Sequence, residues 1–151
     1  MIYFSNAVRG SGLQARTVKQ TARKLMEAVD EGESTLSLSF VDDVAIRAMN
    51  KEHRGKDAPT DVLSFPLWQP EEARAEHVER MLGDIVISID TARRQAAEYD
   101  ATLAQEVGRL LIHGLLHLLG HDHEEAEEAR RMRTEEQRLA ACIGLPWPYH
   151  D

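Results

Sequence analysis

The stretch HGLLHLLGHDH, residues 113–123, holds four of the seven histidines of the chain. His113 and His117 are four residues apart in a segment with a helical apolar pattern, so we expect their side chains one turn apart on one face. Gly120 predicts the end of the helix, because glycine readily adopts the left-handed conformation that ends many helices. The chain would then turn and bring His123 close to His113 and His117. Three neutral imidazoles without a thiolate favour zinc and leave a fourth position open for water or substrate. The stretch therefore predicts one Zn2+ per chain, bound by His113, His117 and His123.

The spacing within this stretch is similar to that of the metzincin peptidases. His117, Gly120 and His123 follow His113 by four, seven and ten residues, as in the pattern H-E-x-x-H-x-x-G-x-x-H. Gly114 stands where that pattern has its general-base glutamate. A lone histidine on an apolar helix is more often a core residue than a ligand, but three at this spacing favour a metal site. The three metal-binding histidines of the pattern are present, but the glutamate that a peptidase uses as general base is missing.

The composition predicts one globular domain, residues 1–151, with 42% hydrophobic and 29% charged residues. The net charge of −8 argues against a broadly basic nucleic-acid-binding surface. Acidic and basic side chains are nevertheless balanced, nine against nine, in residues 1–64, so this part can present a positive face to phosphate groups. Net charge alone therefore does not identify the partner.

Cysteine usage and hydropathy bear on the cellular location. Cys142 is the only cysteine, which excludes an intramolecular disulfide and fits a reducing cytoplasm. The first residues lack the basic and apolar regions of a secretory signal. The most apolar run, residues 110–119, is too short to span a bilayer and contains two histidines. We expect a cytoplasmic protein with no membrane partner.

Apolar periodicity predicts the order of strands and helices along the chain. Strands are expected at residues 2–5, 35–41, 62–65 and 83–88, and helices at residues 13–31, 43–51, 91–99, 102–119 and 124–143. Thr102 with Gln105 forms a capping-box signature at the start of the histidine helix. This order predicts an α+β fold, in which a mixed four-stranded sheet packs against a central metal-binding helix and about four further helices in a zincin-like layout.

Two further expectations concern particular segments. Residues 69–80 are polar and acidic without a clear period, which predicts an exposed loop or a short helix. Gly108 and Gly114 each cost about 1 kcal/mol relative to alanine inside a helix, so either close packing or open space is expected beside them. For Gly114, next to His113, we expect room for substrate.

With the segments MNKEHRGKDAPTDVLSFP (49–66) and GDIVIS (83–88) added to the histidine stretch, the chain resembles the YbeY family of bacterial rRNA maturation factors and single-strand-specific endoribonucleases. The resemblance covers nearly the whole chain, and its motif H-G-x-x-H-L-x-G-H-D-H is filled at every position. It implies a zinc-dependent endoribonuclease that acts in small-subunit rRNA 3′-end maturation and ribosome quality control. The implied partners are single-stranded RNA, rRNA, the ribosomal small subunit and assembly proteins, but not DNA.

The resemblance also implies roles for particular residues. It maps the metal ligands onto His113, His117 and His123 and a functionally important arginine onto Arg54, so the expected catalytic residues are Arg54 and His113. Arg54 can hold a phosphate oxygen as a planar fork, and either a metal-bound water or the ribose 2′-hydroxyl can then attack. His53 departs from the family, in which an aromatic residue is common before that arginine.

For four other residues the sequence leaves two possible roles open. Asp122 either orients a metal-bound imidazole or caps the turn, and His121 fits a positional role better than that of a fourth ligand. Ser64 and Lys56 either contact phosphate or are ordinary strand and loop residues. Two other functions also remain open: a non-catalytic ribosome-assembly factor with a structural zinc, and a metallopeptidase-like hydrolase. Gly114 in the general-base position makes the second of these the less favoured.

Overall fold

The computed structural model describes residues 1–67 and 80–146, and in these ranges the chain forms four strands and five helices. In chain order they are β1 (Ile2–Asn6), α1 (Ala15–Ala28), β2 (Thr35–Val41), α2 (Asp43–Arg54), β3 (Val62–Pro66), β4 (Met81–Ser88), α3 (Ile89–Glu98), α4 (Leu103–Leu118) and α5 (Ala126–Cys142). Every strand and helix assigned from apolar periodicity is confirmed, with ends shifted by a few residues. The loop or short helix expected at residues 69–80 lies outside the described residues, except for Arg80.

The strands form a mixed sheet, as the sequence predicts. Within the described residues the strand order is β1-β2-β4-β3. Strands β1, β2 and β4 run parallel, whereas β3 pairs antiparallel with β4, with Val62 opposite Ile87 and Phe65 opposite Asp84. Strand β3 therefore lies at an edge of this sheet and has one side available to a cleft.

Helix α4 is the central helix of the fold. Its start is fixed by a capping box, in which the Thr102 hydroxyl accepts from the Gln105 backbone N–H and the Gln105 side chain accepts from the Thr102 N–H. Its aliphatic side chains pack against β3 and β4, where they are almost completely buried. They include Leu110, Leu111, Ile112, Leu115 and Leu116. Burial of each contributes about 1.5–3 kcal/mol, so the position of α4 on the sheet is firmly determined.

Gly114 lets α4 lie close to the sheet. A β-carbon at this position would lie 3.0 Å from Cγ2 of Ile85 on β4 and 3.2 Å from Oγ of Ser64 on β3. The Ser64 hydroxyl also donates a hydrogen bond of 3.1 Å to the Gly114 carbonyl oxygen. The expectation that Gly114 leaves room for substrate is therefore wrong, because its missing side chain would point into the sheet.

The length and hydropathy of the helices in the described part of the chain bear on whether they could span a membrane. None of them is both long enough and apolar enough to cross a bilayer. The long apolar face of α4 is accounted for by packing on the sheet.

Candidate functional site

One open cleft contains the predicted site residues other than His121 and Lys56. It has a volume of about 710 Å³ and runs between the edge strand β3, the end of α2, the second half of α4 and the turn after α4. Its volume falls within the usual range for ligand sites. The lining residues are His53, Arg54, Thr60, Asp61, Val62, Leu63, Ser64, Phe65, Pro66, His113, His117, Asp122, His123 and Glu124.

The three predicted metal ligands lie side by side in this cleft. The Nε2 atoms of His113 and His117 are 3.1 Å apart. The ring centroid of His123 is 5.9 Å from that of His113 and 5.6 Å from that of His117. Two nitrogen ligands of one tetrahedral zinc ion would be separated by about 3.3 Å, given Zn–N bonds of about 2.0–2.1 Å. The facing pair on α4 therefore fits a shared zinc ion closely.

The third histidine is less closely placed. Among residues 1–67 and 80–146, no three His, Cys, Asp or Glu side chains meet as a complete set of metal donors. His123 is exposed on the turn after α4, whereas the rings of His113 and His117 are partly buried. Because His123 is exposed, its side chain can change rotamer at little cost.

The surroundings keep the two helix histidines neutral. Burial, together with the neighbouring His117 ring, lowers the pKa of His113 from 6.5 to about 4, although Asp61 opposes the shift. Burial and the nearby His123 also lower the pKa of His117, with a smaller contribution from Arg54. Only neutral imidazole has a lone pair available for a metal ion, so both rings are ready to act as ligands near neutral pH.

Arg54 is placed by the end of α2. The helix begins at Asp42, whose carboxylate accepts from the Ala45 N–H, and ends at Gly55 with a φ of 69°. The loop that follows is held against α2 by two contacts: Arg47 Nε donates to Asp57, and Asn50 Nδ2 donates to the Ala58 carbonyl. Arg54 therefore stands in the last helical turn and lines the same cleft as the histidines.

The turn after α4 has the predicted geometry. Gly120 has a φ of 93°, and the backbone N–H groups of Gly120 and His121 donate to the carbonyls of His117 and Leu116. Asp122 Oδ1 accepts from the His123 N–H at 2.7 Å, which favours its capping role. The nearby His121 backbone opposes the lowering of the His117 pKa.

Sequence reasoning missed Asp61, which lies in the cleft at the start of β3. Its Oδ1 accepts from the Val62 N–H at 2.8 Å, and its Oδ2 accepts from Gln95 Nε2 at 3.2 Å and lies 3.8 Å from Arg109 Nη2. Arg109 is in turn paired with the fully buried Glu106. These contacts join the start of β3 to α3 and α4 and so fix the wall of the cleft. An aspartate directly before a strand was the available signal.

Sequence reasoning also missed that His53 and Phe65 would meet. Their ring centroids are 4.9 Å apart at an interplanar angle of 60°. Both residues line the same cleft as Arg54 and the histidines. The contact joins α2 to β3, two elements whose proximity follows from the sheet order and not from spacing along the sequence.

The sequence of the chain is similar to those of known proteins over most of its length. A family model described as Endoribonuclease YbeY matches residues 4–144. The chain belongs to the YbeY endoribonuclease family. The Endoribonuclease YbeY of Geobacillus thermodenitrificans is 46% identical over 138 residues, which cover 87% of this chain and 88% of that protein. The Halorhodospira halophila protein of the same name is 38% identical over 148 residues, which cover 98% of this chain and 95% of that protein.

Known structures include a relative of similar fold. A Thermotoga maritima protein whose structure was determined in solution superimposes with a TM-score of 0.64 and 30% sequence identity. The match covers 95% of this chain and 90% of that one. The mixed sheet with its helices is therefore similar to the fold of this Thermotoga maritima protein.

Proposed function

We propose that this protein is a metal-dependent endoribonuclease that cuts single-stranded RNA in the cleft between α4 and β3. The observation that carries the proposal is the placement of His113, His117 and Arg54 in one open cleft of a chain from the YbeY family. Metal donors and a guanidinium in one cleft are what a phosphodiester needs for binding and charge neutralisation.

In this proposal His113, His117 and His123 hold one zinc ion. A bound zinc ion supplies Lewis acidity and lowers the pKa of a coordinated water. The donor set of three imidazoles fits zinc, and the 3.1 Å separation of the two Nε2 atoms on α4 supports the fit. The depressed pKa of His113 keeps its ring neutral and able to bind. His113 acts in the reaction through this ligand role.

Arg54 binds the phosphate of the substrate. Its guanidinium presents several N–H donors in a rigid plane, which matches two phosphate oxygens at once, whereas a lysine offers a single charged point. The charge that develops on the non-bridging oxygens during cleavage strengthens these hydrogen bonds. Arg54 therefore stabilises the transition state more than the bound substrate.

Gly114 disfavours a peptidase reaction in this cleft. A glutamate at this position would need space that Ile85 and Ser64 already occupy. Peptide hydrolysis in zinc peptidases depends on that glutamate as general base. The packing of α4 on the sheet thus accounts for the absence of the base and is consistent with a different substrate.

The cellular role that we propose is maturation of the 3′ end of small-subunit rRNA and quality control of ribosomes in the cytoplasm. The resemblance of the three sequence segments to the YbeY family supports this role. The proposed partners are therefore rRNA, the ribosomal small subunit and its assembly proteins.

The test is cleavage of a labelled single-stranded RNA by zinc-loaded protein. His113→Ala and Arg54→Ala are compared with Lys51→Ala, which removes a positive charge from the same helix but not from the cleft. We expect the first two variants to lose cleavage and Lys51→Ala to retain it. Equal cleavage by all four proteins would identify a contaminating nuclease. Zinc retention without any cleavage by the wild type would instead support the non-catalytic assembly factor.

A further inference from the structure

The contact between His53 and Phe65 gives the cleft an aromatic wall. Phe65 packs on the small apolar cluster that includes Ile46, Leu63 and Val86, which holds its ring in place. His53 stands in the last turn of α2 and is exposed. Its ring lies against Phe65 with centroids 4.9 Å apart. One side of the His53 ring is thus supported by the protein while the residue remains accessible from the cleft.

We propose that the His53–Phe65 pair is a stacking platform for an unpaired nucleobase of the RNA substrate. This inference rests on the proposed endoribonuclease function and adds a subsite to it. Every nucleobase has a π-face that can stack on an aromatic or imidazole ring, and proteins that bind single strands use such rings repeatedly. A ring that is held by a second ring loses little conformational entropy when a base stacks on it.

The neighbouring charges fit the same ligand. Arg54 directly follows His53, and both line the cleft. A nucleotide carries a flat base and an anionic phosphate within a few bonds of each other, so an adjacent ring and guanidinium match its two recognition groups. The next basic residue, Lys56, lies in the exposed loop and adds positive charge near the end of α2. The pair therefore places one base while Arg54 holds its phosphate.

The platform gives a physical reason for preference for single strands. In a duplex both faces of each base are covered by neighbouring bases, so a ring on the protein can reach a base only after it has been unstacked. An unpaired nucleotide has a free face and meets this platform without that cost. Base stacking at His53 is therefore expected to contribute to selection against duplex RNA.

The variants are chosen so that loss of base stacking can be distinguished from loss of apolar bulk and from loss of folding. His53→Tyr keeps an aromatic face, His53→Leu keeps apolar bulk without one, and Phe65→Leu removes the supporting ring. Tyr3→Leu is the matched control, because it removes an exposed aromatic ring on β1, at the opposite edge of the sheet from β3. Circular dichroism and thermal unfolding establish that each variant is folded.

The measurement is the dissociation constant of the full chain for a short single-stranded RNA and for the same backbone with abasic sites. We expect the wild type to prefer the RNA that carries bases, and His53→Leu to bind it roughly tenfold more weakly while its affinity for the abasic strand is unchanged. His53→Tyr should retain the preference. With 2-aminopurine in the strand, the fluorescence quenching that accompanies stacking should be lost in His53→Leu and kept in Tyr3→Leu.

Two results would overturn the proposal in distinguishable ways. If the wild type cleaves the RNA and His53→Leu shows the same preference for bases and the same quenching, the platform is wrong and the endoribonuclease function stands. If the wild type neither binds nor cleaves single-stranded RNA, both proposals fall together.

Discussion

The two halves of α4 differ sharply although one apolar pattern runs through both. Beside the first half lies a cavity of about 240 Å³ whose lining is mainly aliphatic, with Leu13, Val18, Val107 and Leu111 among its residues. Beside the second half lies the cleft of about 710 Å³ with its imidazoles, guanidinium and carboxylates. The first half carries the fully buried Glu106, which is paired with the partly buried Arg109. The second half turns its polar groups toward the cleft.

This difference shows that the fold needs α4 for two separate purposes. The aliphatic residues of both halves hold the helix on β3 and β4. The histidines of the second half lie on the remaining face, where they can meet residues from α2, β3 and the turn after α4. Because chemistry depends on the convergence of polar groups, the aliphatic cavity is the poorer candidate for a catalytic site.

The largest effect is expected from Arg54, which faces the second half of α4. Arg54→Ala should lower kcat for RNA cleavage by about 10²–10³-fold, as removal of one donor to a developing anionic charge does in other enzymes. Lys51→Ala should leave kcat within about twofold, because surface charges outside a site contribute little. Steady-state kinetics of the zinc-loaded proteins measure both. A similar loss of kcat in the two variants would show that cleavage depends on the positive charge of α2 as a whole and not on the position of Arg54 in the cleft.

The next effect concerns the buried histidine of the second half. Because the pKa of His113 is lowered from 6.5 to about 4 in the folded protein, the unfolded state binds more protons between these two values. The contribution to stability is complete above about pH 6.5 and is lost as the pH falls toward 4. We expect metal-free protein to lose on the order of 1–3 kcal/mol of unfolding free energy across this range from this group.

Urea unfolding of metal-free protein at several pH values measures this loss. His113→Gln should show a smaller decrease in stability toward low pH, because it lacks the titrating ring. If wild type and variant lose stability in parallel, His113 is not buried as described, and the second half of α4 is more open than this account requires.

Alanine substitutions at the two glycines of α4 should change the unfolding free energy by smaller amounts and in opposite directions. Gly114→Ala brings a β-carbon to 3.0 Å from Ile85 Cγ2, so overpacking should outweigh the gain in helix propensity and destabilise the protein by about 1 kcal/mol. The shift of the helix should also weaken zinc binding at the adjacent His113. Chemical denaturation and a zinc titration measure the two effects. An alanine that stabilises the protein here would mean that α4 does not lie tightly on the sheet.

Gly108→Ala in the first half should have the opposite sign. The new β-carbon would make ordinary contacts with Leu145, the nearest at 3.5 Å, so the helix gains propensity without strain. We expect an increase in unfolding free energy of about 0.5–1 kcal/mol and unchanged zinc affinity. The same denaturation and titration experiments apply. A loss of zinc affinity in this variant would show that the two halves of the helix are coupled.

The sequence predicted most of what depends on local pattern. Apolar periodicity gave the strands and helices, the pair Thr102 and Gln105 gave the start of α4, and Gly120 gave its end. That His113 and His117 lie side by side on one helical face follows from helical spacing alone. These features were predictable because neighbouring residues determine them.

What the sequence did not predict depends on contacts between distant segments. The meeting of His53 with Phe65 and the link from Asp61 to Gln95 require the sheet order, which local pattern does not determine. The role of Gly114 was misjudged for the same reason, since the nearness of Ile85 and Ser64 appears only after α4 is packed on the sheet. Tertiary packing supplied the walls of the cleft, and helical spacing supplied its proposed ligands.

If the second half of α4 and the turn after it form one zinc site, as we propose, zinc titration of metal-free protein will detect it. We predict that the wild type binds one zinc ion per chain and that His113→Ala, His117→Ala and His123→Ala each lose this binding by at least tenfold in affinity. His121→Ala, from the same turn, should retain it. Unchanged zinc affinity in the three ligand variants, or a loss in His121→Ala equal to theirs, would contradict the account.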